Sequence, residues 1–109
     1  MPDKGDAYHE VRGNALWLTL NRPDAMNAIN DGVVAGLEAG LDAAEHDPNL
    51  CCIVIRAAGR AFSAGADLKS VQEKTARGEM GNFVEKLCAT FNRIEAFPRP
   101  VIAAVNGMA

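Results

Sequence analysis

The stretch GRAFSAGADLK, residues 59–69, lies between a short apolar run and a helical pattern. It combines two glycines, three alanines and a serine with the triplet Asp-Leu-Lys. A plain surface loop would be more polar than this. Small residues at a strand-to-helix turn indicate instead that something approaches the main chain closely. The turn is therefore the first candidate site.

Two interpretations of this turn follow from its residues. The N–H groups at the start of a helix are free and carry partial positive charge, so residues 64–67 could form an oxyanion hole or an anion nest. Alternatively, Asp67 simply caps the helix and the small residues serve packing. Neither a P-loop nor a dinucleotide fingerprint is present, because five residues separate Gly59 from Gly65 and Ala66 follows where lysine is needed.

Composition limits the class of protein. The chain has 109 residues, of which 49% are hydrophobic and 23% charged, as in a single small globular domain. A net charge of −3 and a pI near 5.3 give no electrostatic reason to expect nucleic acid or an anionic membrane as partner. Neither a membrane span nor a signal peptide is evident in the sequence, so we expect a cytoplasmic protein.

The residues before the turn predict a hairpin and a helix. Residues 8–20 alternate in hydrophobicity around the turn pair Gly13-Asn14. Asn30 is a good N-cap and Pro48 cannot continue a helix, so a helix is predicted between them. Apolar residues recur there at helical spacing: Val33, Val34, Leu37, Leu41 and Ala44.

The remaining segments complete an α/β pattern. Residues 51–57, CCIVIRA, predict a strand covered on both faces and hence a parallel sheet. Residues 70–81 predict an exposed polar helix, and residues 100–107 a second buried strand. Between them an amphipathic helix is marked by Val84, Leu87, Cys88, Phe91 and Ile94.

The predicted order is β-β-α-β-α-α-β, with right-handed crossovers. Residues 1–109 form part of one domain in this interpretation. Because the sequence stops directly after a predicted core strand, we expect it to be the front part of a longer fold.

Several side chains receive simpler interpretations. Cys51, Cys52 and Cys88 lie in apolar patterns and are predicted to be buried free thiols. No metal site is expected from His9 and His46, because no further ligands accompany them.

Other polar and aromatic residues are assigned to the surface. Glu38, Asp42 and Glu45 are predicted to form the solvated face of the first helix. Trp17 is expected on an outer face of its strand. Ser63 is rejected as a nucleophile because no Ser-His-Asp arrangement or nucleophile elbow accompanies it.

Three segments together resemble the enoyl-CoA hydratase/isomerase, or crotonase, family. They are LTLNRPDAMNAI (residues 18–29), FSAGADLK (62–69) and RPVIAAVNGMA (99–109), and the resemblance extends from about Tyr8 to Ala109. It implies a crotonase-like spiral fold and acyl-CoA thioester substrates, whose carbonyl is polarised between two main-chain N–H groups. The N–H implied for this chain is that of Ala66.

The resemblance also implies a CoA site, with no metal and no cofactor other than the CoA of the substrate. On one side it implies main-chain contacts from Ala64, Gly65, Ala66, Asp67, Leu68 and Lys69, and on the other from Asp24, Ala25 and Met26. Arg22 would either reach a CoA phosphate or brace its own loop. The family further implies a homotrimer or a dimer of trimers.

Two functions stay open on this resemblance. The first is hydration of a trans-2-enoyl-CoA, with isomerase, hydrolase or decarboxylase chemistry as variants on the same scaffold. In the family, the second oxyanion donor and two catalytic glutamates follow the segment that ends here at Ala109. The second function is therefore an inactive fragment that at most binds CoA or associates with a full-length relative.

Overall fold

A computed structural model describes residues 5–109 of the chain. Its elements follow the predicted order, with a short 3-10 turn added after the hairpin. They are β1 (Ala7–Arg12), β2 (Ala15–Leu20), the 3-10 turn (Pro23–Ala25), α1 (Asp31–Glu45), β3 (Cys52–Ala57), α2 (Leu68–Arg77), α3 (Met80–Glu95) and β4 (Val101–Ala103).

The four strands form one sheet in the order β1-β2-β3-β4. β1 and β2 are the predicted antiparallel hairpin, whereas β2, β3 and β4 run parallel, with Leu16 opposite Ile53 and Ile53 opposite Val101. The carboxyl ends of the three parallel strands therefore meet at one edge of the sheet. Ligands of parallel sheets bind at this edge as a rule.

The core lies between one face of the sheet and α1. Leu16, Leu18 and Ile53 are at most 1% exposed on the sheet side. The apolar stripe of α1 faces them, as its helical spacing predicts. Its buried residues are Val33, Val34, Leu37, Gly40, Leu41 and Ala44.

The opposite face of the sheet corrects two predictions. β3 is not covered on both faces, since Ile53 and Ile55 are buried but Val54 is only half-buried. Residues 100–107 are not a buried strand either: β4 has three residues, and Ile102 is 50% exposed. β4 is the edge of the sheet, where one side of the strand has no neighbour.

The thiols were also predicted wrongly with respect to burial. Cys51, Cys52 and Cys88 are free, but Cys51 and Cys88 are exposed and Cys52 is half-buried. Apolar neighbours in sequence do not bury Cys51, because it precedes β3, whereas Cys88 lies on the outward side of α3.

The amphipathic helix α3 is present, but its inward stripe differs from the predicted one. Phe83 and Thr90 are buried, whereas Val84 and Phe91 are 43% and 45% exposed. The Thr90 hydroxyl donates to Glu38 on α1 at 2.6 Å. The two buried positions of α3 thus each lie one residue before the predicted Val84 and Phe91.

The carboxylates of α1 are not merely a solvated face. Arg93 on α3 donates to Glu38, to Asp42 at 2.6 Å and to Glu45 at 3.2 Å. Burial opposes the charged form, but the hydrogen bonds to the three carboxylates raise the pKa of Arg93 above its usual value. The network holds α3 against α1.

Trp17 lies on the outer face of the sheet, as predicted. The guanidinium groups of Arg12 and Arg56 both stack 5.2 Å from the centroid of its ring. Such cation–π contacts stabilise an aromatic ring on the outer face of a sheet.

Candidate functional site

Three chain segments meet at the carboxyl edge of the sheet. They are residues 21–29 after β2, residues 58–67 after β3 and residues 104–108 after β4. The last two are joined by main-chain hydrogen bonds, because the carbonyl of Met108 accepts from the N–H groups of Phe62 at 2.8 Å and Ser63 at 3.2 Å. These contacts bring together two of the three segments that carry the family resemblance.

Gly107 makes the close approach of these segments possible. A Cβ atom at this position would overlap the carbonyl oxygen of Arg60. The side chain of Asn106 secures the same contact by donating to the carbonyl of Gly59 at 2.9 Å. Any larger residue at position 107 would therefore push the two segments apart.

Asn27 joins the first segment to the second. Its fully buried amide donates to the carbonyls of Ala58 and Ala61 at 2.8 and 2.9 Å and accepts from the Arg22 N–H at 2.8 Å. The residue has a φ of 55°, which asparagine tolerates better than most side chains. The sequence did not single out Asn27, and an asparagine among turn residues is only a weak signal of such a role.

Three of the four N–H groups of residues 64–67 donate hydrogen bonds to other groups of the protein. Ala64 donates to the carbonyl of Met26 at 3.0 Å, Gly65 to the hydroxyl of Ser63 at 3.1 Å, and Asp67 to the carbonyl of Ile29 at 2.9 Å. These three N–H groups are therefore already used within the protein. Within the described chain, the N–H of Ala66 alone among the four has no acceptor, and Ala66 is exposed.

A short parallel bridge fixes the direction of the Ala66 N–H. Ile29 pairs with Ala66 by donating to the carbonyl of Gly65 at 2.7 Å and accepting from Asp67. In such a bridge the central residue directs its own N–H and C=O away from the partner. Gly65 has a φ of +96°, which favours glycine and turns the chain into the bridge.

Asp67 caps α2, as one interpretation of the turn predicts. Its carboxylate accepts from the Ser70 N–H at 3.0 Å and from the Arg22 guanidinium at 2.7 Å. These two hydrogen bonds lower the pKa of Asp67 below its usual value, against the opposing effect of burial. The capping and ligand interpretations are compatible, because capping uses the Asp67 side chain and leaves the Ala66 N–H free.

Arg22 braces its loop, which is one of its two predicted roles. Its Nη1 donates to the carbonyl of Ala28 and to the Asp67 carboxylate, both at 2.7 Å. The side chain is only 20% exposed. Its guanidinium is thus engaged within the protein.

The other predicted CoA-binding residues differ in exposure. Ala64, Leu68 and Lys69 are exposed, whereas Gly65 and Ala25 are half-buried. Met26, 46% exposed, lines a cavity of about 310 Å³ together with Pro23, Arg60, Ala61 and Met108.

We also examined the residues for a serine nucleophile, a metal site and a membrane-spanning helix. The Ser63 hydroxyl donates to the carbonyl of Asn27 and accepts from Gly65, which is a structural role. Residues 5–109 include no group of three His, Cys, Asp or Glu side chains placed to hold a metal ion. Over the same residues, no helix has the length and apolar character needed to cross a membrane.

The class of protein follows from comparison with known families. The profile described as Enoyl-CoA hydratase/isomerase matches residues 15–109. The chain therefore belongs to the enoyl-CoA hydratase/isomerase family, as its three motifs predict. The four-stranded sheet and its helices are the corresponding part of the crotonase fold.

Individual relatives support the same assignment. The chain is 43% identical over 94 residues to 2,3-dehydroadipyl-CoA hydratase of Escherichia coli. The aligned residues cover 86% of this chain and 36% of the relative. It is 37% identical over 102 residues to 1,2-epoxyphenylacetyl-CoA isomerase of the same organism, covering 91% of this chain and 39% of the relative.

A crystal structure of an enoyl-CoA hydratase/isomerase from Xanthobacter autotrophicus superposes with a TM-score of 0.85 at 35% identity. The match covers 94% of this chain and 39% of that one. The chain thus spans about two fifths of the length of these relatives.

Proposed function

We propose that this chain binds acyl-CoA thioesters and that the Ala66 N–H donates to the thioester carbonyl oxygen. The observation that carries the proposal is that the N–H of the exposed residue Ala66 has no acceptor among residues 5–109 and lies next to the start of α2. The positive end of the helix adds to the field at the oxygen.

Such a donor suits enolate and oxyanion chemistry. Negative charge develops on the thioester oxygen when the β-carbon is attacked or an α-proton is removed. An aligned donor in a dry site stabilises that charge, and loss of one typically costs a factor of about 10² to 10³ in rate. Because the reagent is a main-chain group, the side chain at position 66 must only be small.

The substrate and reaction are proposed from the family. We propose CoA contacts at Ala25, Met26 and residues 64–69, with CoA entering as part of the substrate and no separate cofactor. Hydration of a 2-enoyl-CoA is the proposed reaction. Isomerisation is the alternative reaction, because one of the relatives is an isomerase. Turnover is proposed only for a polypeptide that includes the family's second donor and two glutamates. We propose a cytoplasmic location.

A titration with a saturated thioester tests the binding proposal. Hexanoyl-CoA labelled with ¹³C at the carbonyl is added to the ¹⁵N-labelled chain. We expect a downfield shift of the carbonyl carbon and of the Ala66 amide proton, as formation of a hydrogen bond requires. Ala66→Pro removes the N–H and should abolish the carbonyl shift, whereas Ala66→Gly keeps it and serves as the control.

Two results would contradict the proposal. One is a wild-type chain that gives neither shift at saturating thioester. The other is an Ala66→Pro variant that remains folded, with its Leu18 amide still protected from exchange, and yet shifts the carbonyl as the wild type does.

A second function, association with another chain of the family, is favoured by exposed apolar side chains. Phe91 on α3, Ile102 on β4 and Val105 after it are 45%, 50% and 57% exposed. Exposed apolar groups of this kind favour protein contacts. Sedimentation should then show either self-association, such as the trimer of the family, or a complex with E. coli 2,3-dehydroadipyl-CoA hydratase. A monomer that binds neither would exclude this function.

A further inference from the structure

We propose that Arg22 is a positioning residue for the Ala66 N–H: its guanidinium holds together the two chain segments whose bridge turns that N–H outward. The inference rests on the proposed function of Ala66, which it deepens. Arg22 itself would not touch the substrate.

The hydrogen bonds around Arg22 carry the proposal. Nη1 donates at 2.7 Å to the carbonyl of Ala28, which belongs to the same peptide group as the Ile29 N–H. That N–H donates to Gly65 on one side of Ala66. The same Nη1 donates to the carboxylate of Asp67, on the other side. One nitrogen therefore contacts both segments that the bridge joins, through the residue before Ile29 and the residue after Ala66.

The charge of Arg22 also matters to an oxyanion. Asp67 is the next residue after Ala66, and its carboxylate would repel negative charge developing on a bound thioester. The ion pair with Arg22 offsets this repulsion, and the two side chains are only 20% and 13% exposed. Partial burial makes such a charge-assisted hydrogen bond stronger than one in open water.

Three variants distinguish a positioning role of Arg22 from a general structural role. Arg22→Met keeps the aliphatic stem but removes the donors and the charge. Arg22→Lys keeps one charged donor nitrogen, although its ammonium ends one bond short of the Nη1 position. The matched control is Arg99→Met, since Arg99 donates to the carbonyls of Asp47 and Leu50 before β3, at the opposite edge of the sheet.

Two readouts on the ¹⁵N-labelled chain test the proposal. The first is amide exchange at Ile29 and Asp67, which reports the bridge itself. The second is the carbonyl carbon shift of bound ¹³C-labelled hexanoyl-CoA. For Arg22→Met we expect exchange at the two amides to rise about tenfold or more and most of the carbonyl shift to be lost.

The remaining variants complete the prediction. Arg22→Lys should recover part of both signals relative to Arg22→Met, because it restores the charge and a donor, whereas a loss of packing alone would allow no recovery. Arg99→Met should lower the free energy of unfolding but leave the bridge exchange and the carbonyl shift close to the wild type. If Arg22→Met does not fold, Asp67→Asn replaces it, since asparagine still caps α2 but leaves Arg22 only an uncharged acceptor in place of the ion pair, and intermediate effects are expected.

The proposal is overturned if exchange at Ile29 and Asp67 is unchanged in Arg22→Met, or if Arg99→Met changes it equally. It is also overturned if the bridge opens while the carbonyl shift stays intact. A wild-type chain that does not bind hexanoyl-CoA would refute the proposed function instead. The exchange rates would in that case still decide whether Arg22 holds the bridge.

Discussion

Helices α1 and α2 are built in opposite ways. Both begin at a side-chain cap, Asn30 for α1 and Asp67 for α2. α1 buries six residues against the sheet, whereas α2 buries none. α2 is held by polar contacts instead: Asp67 pairs with Arg22 at its start, and Lys74 pairs with Asp31 at 2.6 Å and stacks on the Phe83 ring.

The difference separates stability from site geometry. Burial of apolar surface is the main favourable contribution to folding, and of these two helices only α1 buries side chains. The candidate donor at Ala66 lies instead beside the helix that depends on charge and capping. We therefore expect acid to affect the site while the core is still folded.

The largest effect is expected from a cavity in the α1 core. Leu41 is fully buried, so Leu41→Ala should lower the free energy of unfolding by about 2 to 5 kcal/mol in urea titrations. The matched control is Leu68→Ala in α2, where the side chain is 76% exposed and the change should stay within about 0.5 kcal/mol. Equal losses in the two variants would refute the comparison.

A smaller effect on stability is expected when acid protonates the Asp67 cap of α2. The pKa of Asp67 is lowered by the Ser70 N–H and by Arg22 in the folded chain. Its carboxylate therefore stabilises the fold above its unfolded pKa, and this contribution is lost as the pH falls through the lower folded pKa. The Ser70 amide shift, followed from neutral to acidic pH, should titrate below the ordinary aspartate pKa of about 3.9.

Asp67→Asn is the control for this titration, because it retains the cap and removes the titrating group. Its Ser70 amide should show no such transition. A wild-type midpoint at or above the ordinary aspartate value would contradict the prediction, as would an identical transition in the variant.

The smallest effect is expected at the other contact of α2. Lys74→Met removes an ion pair whose acidic partner, Asp31, is 66% exposed, so the loss should be about 0.5 kcal/mol or less and should shrink in high salt. Arg77→Met, on the same helix, removes a cation without an ion-pair partner among residues 5–109 and is the control. A loss that exceeds that of Leu41→Ala would show that α2 carries more of the stability than its burial indicates.

Local features of the chain were predictable because they depend on neighbours in sequence. The hairpin, the N-caps Asn30 and Asp67 and the exposed polar helix follow from alternation, helical spacing and turn residues. The parallel sheet is also present, but it was predicted from coverage of both faces of β3, which the structure does not show. The order of the three motifs also predicted the family. Local sequence drew attention to the turn of residues 64–67, and the family resemblance implied Ala66 within it.

Contacts between distant segments were not predictable in the same way. Three of four N–H groups in the turn are occupied because Met26, Ser63 and Ile29 supply acceptors, two of them from the preceding loop. The roles of Asn27 and Arg22 arise from partners up to 45 residues away. No periodic pattern in the sequence encodes such pairs.

The sequence by itself determined which elements form and which turn carries small residues, because those choices are made over a few neighbouring residues. Only the tertiary structure decided that Ala66 keeps the free N–H and that Arg22 pairs with Asp67. It also decided that β3 is covered on one face. The physical reason is the parallel register of β2, β3 and β4, which brings three loops to one edge and fixes which donors are used there.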